Sequence, residues 1–299
     1  MIVFFLYFSQ WLVVEKGVPD VWYNMLFTQA GNWLGQITGL LVTVPFVAGA
    51  VPVLGAPGRP QTFLPAIVLF VLLALPMLLF LRLPKRVQPG MRIDVVAEYR
   101  SQWQRFRALV TTPGMGTFLL AYFFFNDAII TVSNNFPIYL ENVYGVSDDV
   151  KSLLLLGILL TFVLGALLSG WVTDCLGIKR TLVLSLAAWV AIFPIMGITG
   201  DFTVFVLLCV VIGLLFGSIW TVTRVAMTAL CPPSMLNFGF SFYTLAERVS
   251  TLVGPLAWGI ITSSLTDLGP LRYRIAMIAM GFFVAVGLFV LRNTRIGSS

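Results

Sequence analysis

Asp127, Glu247, Arg248 and Arg224 stand where a lipid bilayer would make them costly. Asp127 lies near the middle of an apolar run at 115–138, Glu247 and Arg248 near the middle of one at 238–263, and Arg224 toward the end of one at 202–225. A charge at mid-bilayer costs about 2.5–3.5 kcal/mol even on the lenient insertion scale, so such residues face a cavity or a partner. The chemistry open to them is solute binding and proton exchange. A carboxylate can take a proton or meet an ammonium group, and a guanidinium can grip a carboxylate. Thr131 and Asn134 follow Asp127 at i+4 and i+7 and share its helical face, with Asn126 and Asn135 beside that stripe. It reads either as a cavity lining, with Asp127 as an ammonium contact or proton site, or as a buried polar cluster that fixes helix packing. Tyr243, Glu247, Thr251 and Gly254 make a second one-sided series, and Gly254-Pro255 invites a kink. Here Arg248 contacts a substrate carboxylate while Glu247 couples protons, or the two serve separate structural ion pairs. Arg224 shares a face with Gly217, Thr221 and Thr228. It either pairs with Glu247 across a gate or snorkels to the membrane surface.

Other chemistry is excluded by what the chain lacks. Histidine is absent, which removes the commonest metal ligand and neutral-pH base. Cys175, Cys209 and Cys231 fall in or beside apolar runs without paired spacing, so they read as reduced, packed side chains rather than a zinc site or disulfide framework. Neither H-E-x-x-H nor G-x-S-x-G occurs. The expectation is a non-enzyme without cofactor or metal. Charged residues make up only 10% of the 299, and hydrophobic ones 59%, whereas soluble domains carry roughly a quarter charged. The net charge of +6 forms no separate basic domain, so nucleic acid is not an expected partner. The expected partners are a lipid bilayer, a small-molecule substrate and protons.

The elements that position these charges are membrane helices. At about 20 apolar residues per span, full candidates lie at 33–54, 62–82, 115–138, 152–173, 181–199, 202–225, 238–263 and 274–292, and a shorter run at 1–14 reads as the tail of another span. Together they make an all-α integral membrane protein of about nine spans. The stretch 82–107 holds Arg82, Lys85, Arg86, Arg92, Arg100, Arg105 and Arg107 against Asp94 and Glu98, which marks it as cytoplasmic. Alternation from there puts Lys179, Arg180 and the C-terminus inside, with Arg272 and Arg274 outside against the trend. The chain divides into a partial N-terminal half at 1–82, a basic linker at 83–113 and a six-helix C-terminal half at 114–299. Within the linker, Val95, Val96, Tyr99, Trp103, Phe106 and Val110 fall near helical spacing and predict an amphipathic helix on the inner leaflet.

Gly170, Asp174, Gly177, Lys179 and Arg180 fall between the second and third spans after the linker. Their spacing resembles the cytoplasmic gating-loop signature of the major facilitator superfamily. Gly170 allows close helix approach, Asp174 ends a helix and pairs with a base or caps the next helix, Gly177 permits the turn, and the two bases hold the loop inside. Cys175 stands where the family often has a base. The stretch 118–131, with Tyr122, Asn126, Asp127 and Thr131, and the stretch 242–256, with Tyr243, Glu247, Arg248 and Gly254-Pro255, are similar to helices of the vacuolar amino-acid effluxer branch, also called an unidentified major facilitator group. That resemblance implies a complete six-helix C-terminal half of a twelve-helix fold, with about three N-terminal helices not represented. It also implies alternating-access transport of small polar solutes, amino acids foremost, in a bacterial inner membrane. The sugar–cation symporter branch is the alternative, and a truncated, non-transporting remnant a third reading.

Overall fold

The structure, a computed structural model, describes residues 38–39, 45, 63–80, 95–292 and 294. Two compact units divide at Ile93 and Asp94. In the first, helix α1 (Phe63–Phe80) covers the run expected at 62–82 and exposes Phe63, Ile67 and Phe70. Apart from residues 38–39 and 45, the expected spans at 1–14 and 33–54 lie outside the described residues.

The second unit contains α2 (Val95–Thr111), α3 (Met115–Tyr144), α4 (Asp148–Leu176), α5 (Ile178–Ile198), α6 (Phe202–Leu230), α7 (Leu236–Ser250), α8 (Val253–Ser264) and α9 (Leu271–Arg292). Among the described residues, α3, α4, α5, α6 and α9 are long and apolar enough to cross a membrane, which makes five. The single span expected at 238–263 is instead two short helices, interrupted at Thr251 and Leu252. Pro255 is the chemical cause. It has no N–H to continue the ladder, and its ring clashes with the carbonyl one turn back, whereas in the first turn of a new helix neither matters. The carbonyls released at the end of α7 are partly satisfied locally. Ser250 Oγ donates to the Glu247 carbonyl at 2.8 Å, and Thr251 Oγ1 to the Arg248 carbonyl at 2.7 Å.

The helices pack in a way suited to lipid. At the α4–α6 crossing the backbones nearly touch. A methyl group added at Gly165 would collide with the Leu214 carbonyl, and one at Gly217 with the Phe162 carbonyl. Small residues drive such contacts where lipid tails offer no hydrophobic contrast. α3 and α5 both pack on α9, with Gly287 against Ala121 and Phe125 and Gly281 against Phe193 and Pro194. The outer surface of α4 carries exposed Leu153, Leu160, Leu164, Leu167 and Trp171, an apolar expanse a water-soluble monomer does not present. α2 packs on α3 through buried Leu109, and Phe106 lies 4.6 Å from Phe242. Its Val96, Tyr99 and Trp103 are exposed, the face expected of a helix lying on a membrane surface. Cys209 and Cys231 are buried and Cys175 is exposed, all three as free thiols.

At the end of the bundle far from α2, side chains close the helix termini. Asp201 accepts from the amides of Thr203 (2.7 Å) and Val204 (3.1 Å) and caps α6. Lys151 pairs with Glu141 at 2.7 Å and Asp148 at 2.9 Å. Arg274 donates to the carbonyls of Gly197 (3.2 Å), Ile198 (3.2 Å) and Thr199 (2.6 Å) at the C-terminus of α5, and it lies over the Tyr144 ring. Arg272 donates to the Thr262 carbonyl at 3.2 Å near the end of α8. These two bases run against the charge bias of the connections because each neutralises the negative end of a helix.

Candidate functional site

Asp127 and Thr131, one turn apart on α3, are both 0% exposed. Neither Asp127 carboxyl oxygen nor the Thr131 hydroxyl has a hydrogen-bond partner. Both side chains are pressed against Gly254, in the first turn of α8. A methyl group added there would collide with Thr131 Oγ1 and lie 2.9 Å from Asp127 Oδ1. The Gly254 amide, one of the N–H groups a helix start leaves free, approaches the Asp127 carboxyl without completing a hydrogen bond. On the other side of the interruption, Asn126 Nδ2 donates to Ser250 Oγ at 2.8 Å, fully buried. Two adjacent residues of α3 thus hold the end of α7 and the start of α8.

The predicted stripe on α3 does not survive as one surface. Asp127 and Thr131 turn into the α8 contact, whereas Asn134 is exposed and Asn135 Nδ2 donates to the Thr131 carbonyl at 2.9 Å. Nor do Tyr243, Glu247, Thr251 and Gly254 share a face, because the helix stops between Glu247 and Gly254. Asp127 is sealed off while Arg248 is exposed, so the two do not line a common opening in this conformation.

A second cluster lies on the α2 side of Asp127. Tyr243 is buried, stacks on Tyr122 with ring centroids 4.4 Å apart, and donates to Thr223 Oγ1 at 3.1 Å. Arg224 and Glu247, both partly exposed, lie within electrostatic reach of these two tyrosines. Among the described residues no ion pair joins Arg224 to Glu247, so the pairing expected across a gate is not made in this conformation. Tyr122, Thr223 and Ser250 belong to these clusters and were missed as site residues. Their partners are 20 or more positions away, and no local spacing signals such contacts.

The loop motif is placed as a turn between α4 and α5. Gly170 is buried within α4, and Gly177 takes φ 83° between the two helices. Asp174 corrects the expectation. α4 continues through it to Leu176, and α5 starts at Gly177 without a side-chain cap, so Asp174 neither ends one helix nor caps the next. It is exposed, as is Arg180, while Lys179 is half-buried. A groove of about 270 Å³ between α4, α5 and α6, lined partly by Ser169, Ser185 and Ser218, contains none of the predicted site residues.

The helical bundle and the loop motif agree with one superfamily, whose sequence profile matches residues 118–297, more than half of the chain. The chain belongs to the Major Facilitator Superfamily. This facilitator chain is 23% identical over 290 residues to an uncharacterized protein of Aquifex aeolicus, covering 95% of the chain and 71% of that protein. It is 22% identical to Autophagy-related protein 22 of Pichia angusta over 57% of the chain and 32% of that protein, and 23% identical to Autophagy-related protein 22 of Candida glabrata over 60% and 35%. The chain thus spans about a third of the length of these yeast relatives. Its fold is similar to the crystal structure of a bacterial homologue of the human lysosomal transporter Spinster in an inward-facing, unoccupied conformation, with a TM-score of 0.62 and 15% identity, covering 90% of the chain and 69% of that structure.

Proposed function

We propose that this facilitator is a secondary transporter of small polar solutes, amino acids foremost, that works by alternating access with a proton as coupling ion. The observation that carries this reading is Asp127, a carboxyl group at 0% exposure with no partner. Taking an unpaired ion out of water costs several kcal/mol. The start of α8 offers a carboxylate roughly 0.3–1 kcal/mol, and up to ~2 in partly buried settings. Burial outweighs the helix end, so the sealed site suits a neutral carboxyl, and its exposure in another conformation would release the proton. This favours Asp127 as the coupling group over an ammonium contact, since Gly254 leaves no space beside it. The partly or fully exposed charges of α6 and α7, Arg224, Glu247 and Arg248, serve as the solute contacts. The substrate class rests on the resemblance of the stretches 118–131 and 242–256 to the effluxer branch.

In this reading residues 1–82 contribute part of the N-terminal half, 83–113 the basic linker and 114–299 the C-terminal half. The linker and the C-terminus face the cytoplasm, an orientation that the Lys and Arg distribution supports, and the membrane is a bacterial inner membrane. The test is uptake of a panel of labelled amino acids by vesicles containing the purified protein, with and without an imposed pH gradient. Gradient-driven uptake of at least one amino acid is expected, and Asp127→Asn should abolish the gradient dependence. Full gradient-driven uptake by Asp127→Asn would sink the coupling role, and failure of every amino acid would sink the substrate class.

A further inference from the structure

We propose that α3 latches the interrupted helix α7–α8, and that the proton on Asp127 sets the latch: α8 docks on Asp127 and Thr131 when the carboxyl is neutral and withdraws when it is charged. The inference rests on the transporter reading for its purpose but not for its geometry. Three observations converge on one spot. The helix is interrupted at Thr251 and Leu252, so α8 is joined to α7 by a two-residue turn rather than a continuous hydrogen-bond ladder. Asn126 holds the α7 side through Ser250 with a satisfied neutral bond, which proton traffic leaves unchanged. On the α8 side the contact consists of Asp127 and Thr131 against Gly254, and every side-chain oxygen in it is buried and unpartnered. One side of the joint is therefore fixed and the other is conditional.

No other charge takes over the role. α8 contains no charged residue. Glu247 and Arg248 on α7 and Arg224 on α6 lie on the α2 side. On α9, Arg272, Tyr273 and Arg274 lie at the far end and Arg292 at the opposite one, and Arg105 and Arg107 stand on α2. On α3 itself the nearest titratable groups along the helix are Tyr122, on the α2 side, and Tyr139, about three turns away toward the far end. None of these groups pairs with Asp127. A carboxylate formed there has only the free amides of the first turn of α8 to meet it, and water reaches it only if α8 moves away. The close packing on Gly254 also favours a proton over a metal cation, because the space beside the carboxyl is filled by backbone.

Hydrogen exchange read by mass spectrometry on the full chain in lipid nanodiscs tests the latch without any substrate. Peptides covering residues 248–258 are compared in acidic and alkaline buffer, with labelling times scaled to equalise intrinsic exchange. The wild type should exchange several-fold faster across α8 in alkaline buffer. Asp127→Asn, permanently neutral and of the same shape, should stay protected in both. Gly254→Ala, which cannot dock, should exchange fast in both. A wild type without a pH response overturns the latch, as does an Asp127→Asn protein that keeps the response or a response that follows sodium concentration instead of pH. Protection of Gly254→Ala overturns the docking contact. Vesicle uptake separates the two readings: a pH-dependent latch without uptake of any amino acid rejects the proposed substrates and leaves the latch standing.

Discussion

Asn126 and Asp127 are sequence neighbours with opposite hydrogen-bond fates, and the difference sets what each substitution should do. Asn126 makes one buried bond across to Ser250. Side-chain bonds between membrane helices average about 0.6 kcal/mol, so Asn126→Ala should lower the thermal denaturation midpoint only slightly while leaving the fold intact. Tyr243→Phe removes the bond to Thr223 but keeps the stack on Tyr122. Its cost should be similar, at roughly 0.5–1.5 kcal/mol. Arg274→Met is expected to cost more than either, because it frees three carbonyls at the end of α5 together with a charge-assisted contact, and bonds to charged groups run to about 1.5–3 kcal/mol. Ranking the three midpoints in one detergent checks the order; a negligible effect for Arg274→Met would show that the far-end clamp is ornamental. At this scale the sequence was informative about which residues are costly in a bilayer. It could not say which of them the fold would leave without a partner.

The helices themselves carry two separable properties, rigidity at the α4–α6 crossing and a joint at α7–α8. Gly217→Ala places a methyl group against the Phe162 backbone. Overpacking typically costs about 1–3 kcal/mol, and because backbone rather than a side-chain tip is hit, relief requires the helices to separate. A drop in denaturation midpoint larger than that for Asn126→Ala is expected. Pro255→Ala tests the joint in the opposite direction. Restoring an N–H lets the ladder run across Thr251 and Leu252, so the protein should gain helix by circular dichroism and lose transport rate. Unchanged helicity would mean that Gly254 and the α3 contact, not proline, interrupt the helix. The kink at Gly254-Pro255 was legible from residue types. Its conversion into a full interruption was not, because the freed carbonyls are met by Ser250 and Thr251 hydroxyls and the loose end by α3.

For the molecule as a whole, the orientation proposed from the basic linker can be read from a native probe. Cys175 is exposed in the last turn of α4, next to the loop motif, whereas Cys209 and Cys231 are buried. A membrane-impermeant maleimide should label the protein in inside-out vesicles and not in intact spheroplasts, and Cys175→Ser should abolish labelling. Labelling of intact spheroplasts would invert the topology. The exposed leucines of α4 and the exposed aromatic face of α2 place the protein in lipid whatever its orientation, since apolar area of that extent is tolerated only where water is absent.

The sequence by itself determined the membrane class, the positions of α3, α4, α5, α6 and α9, the linker helix and the superfamily. The first three follow from hydropathy and charge bias, local patterns a bilayer enforces, and the superfamily from the resemblance of one loop motif and two helical stretches to its members. Only the tertiary structure decided the fate of the intramembrane charges. It sealed Asp127 behind Gly254, left Arg248 and Asn134 exposed, left Arg224 and Glu247 without an ion pair between them and freed Asp174 from the capping role expected of it. The reason is physical. Whether a polar side chain meets a partner, a backbone or solvent depends on which helix crosses which and at what height, and that is set by packing contacts between residues as far apart in sequence as Asn126 and Ser250.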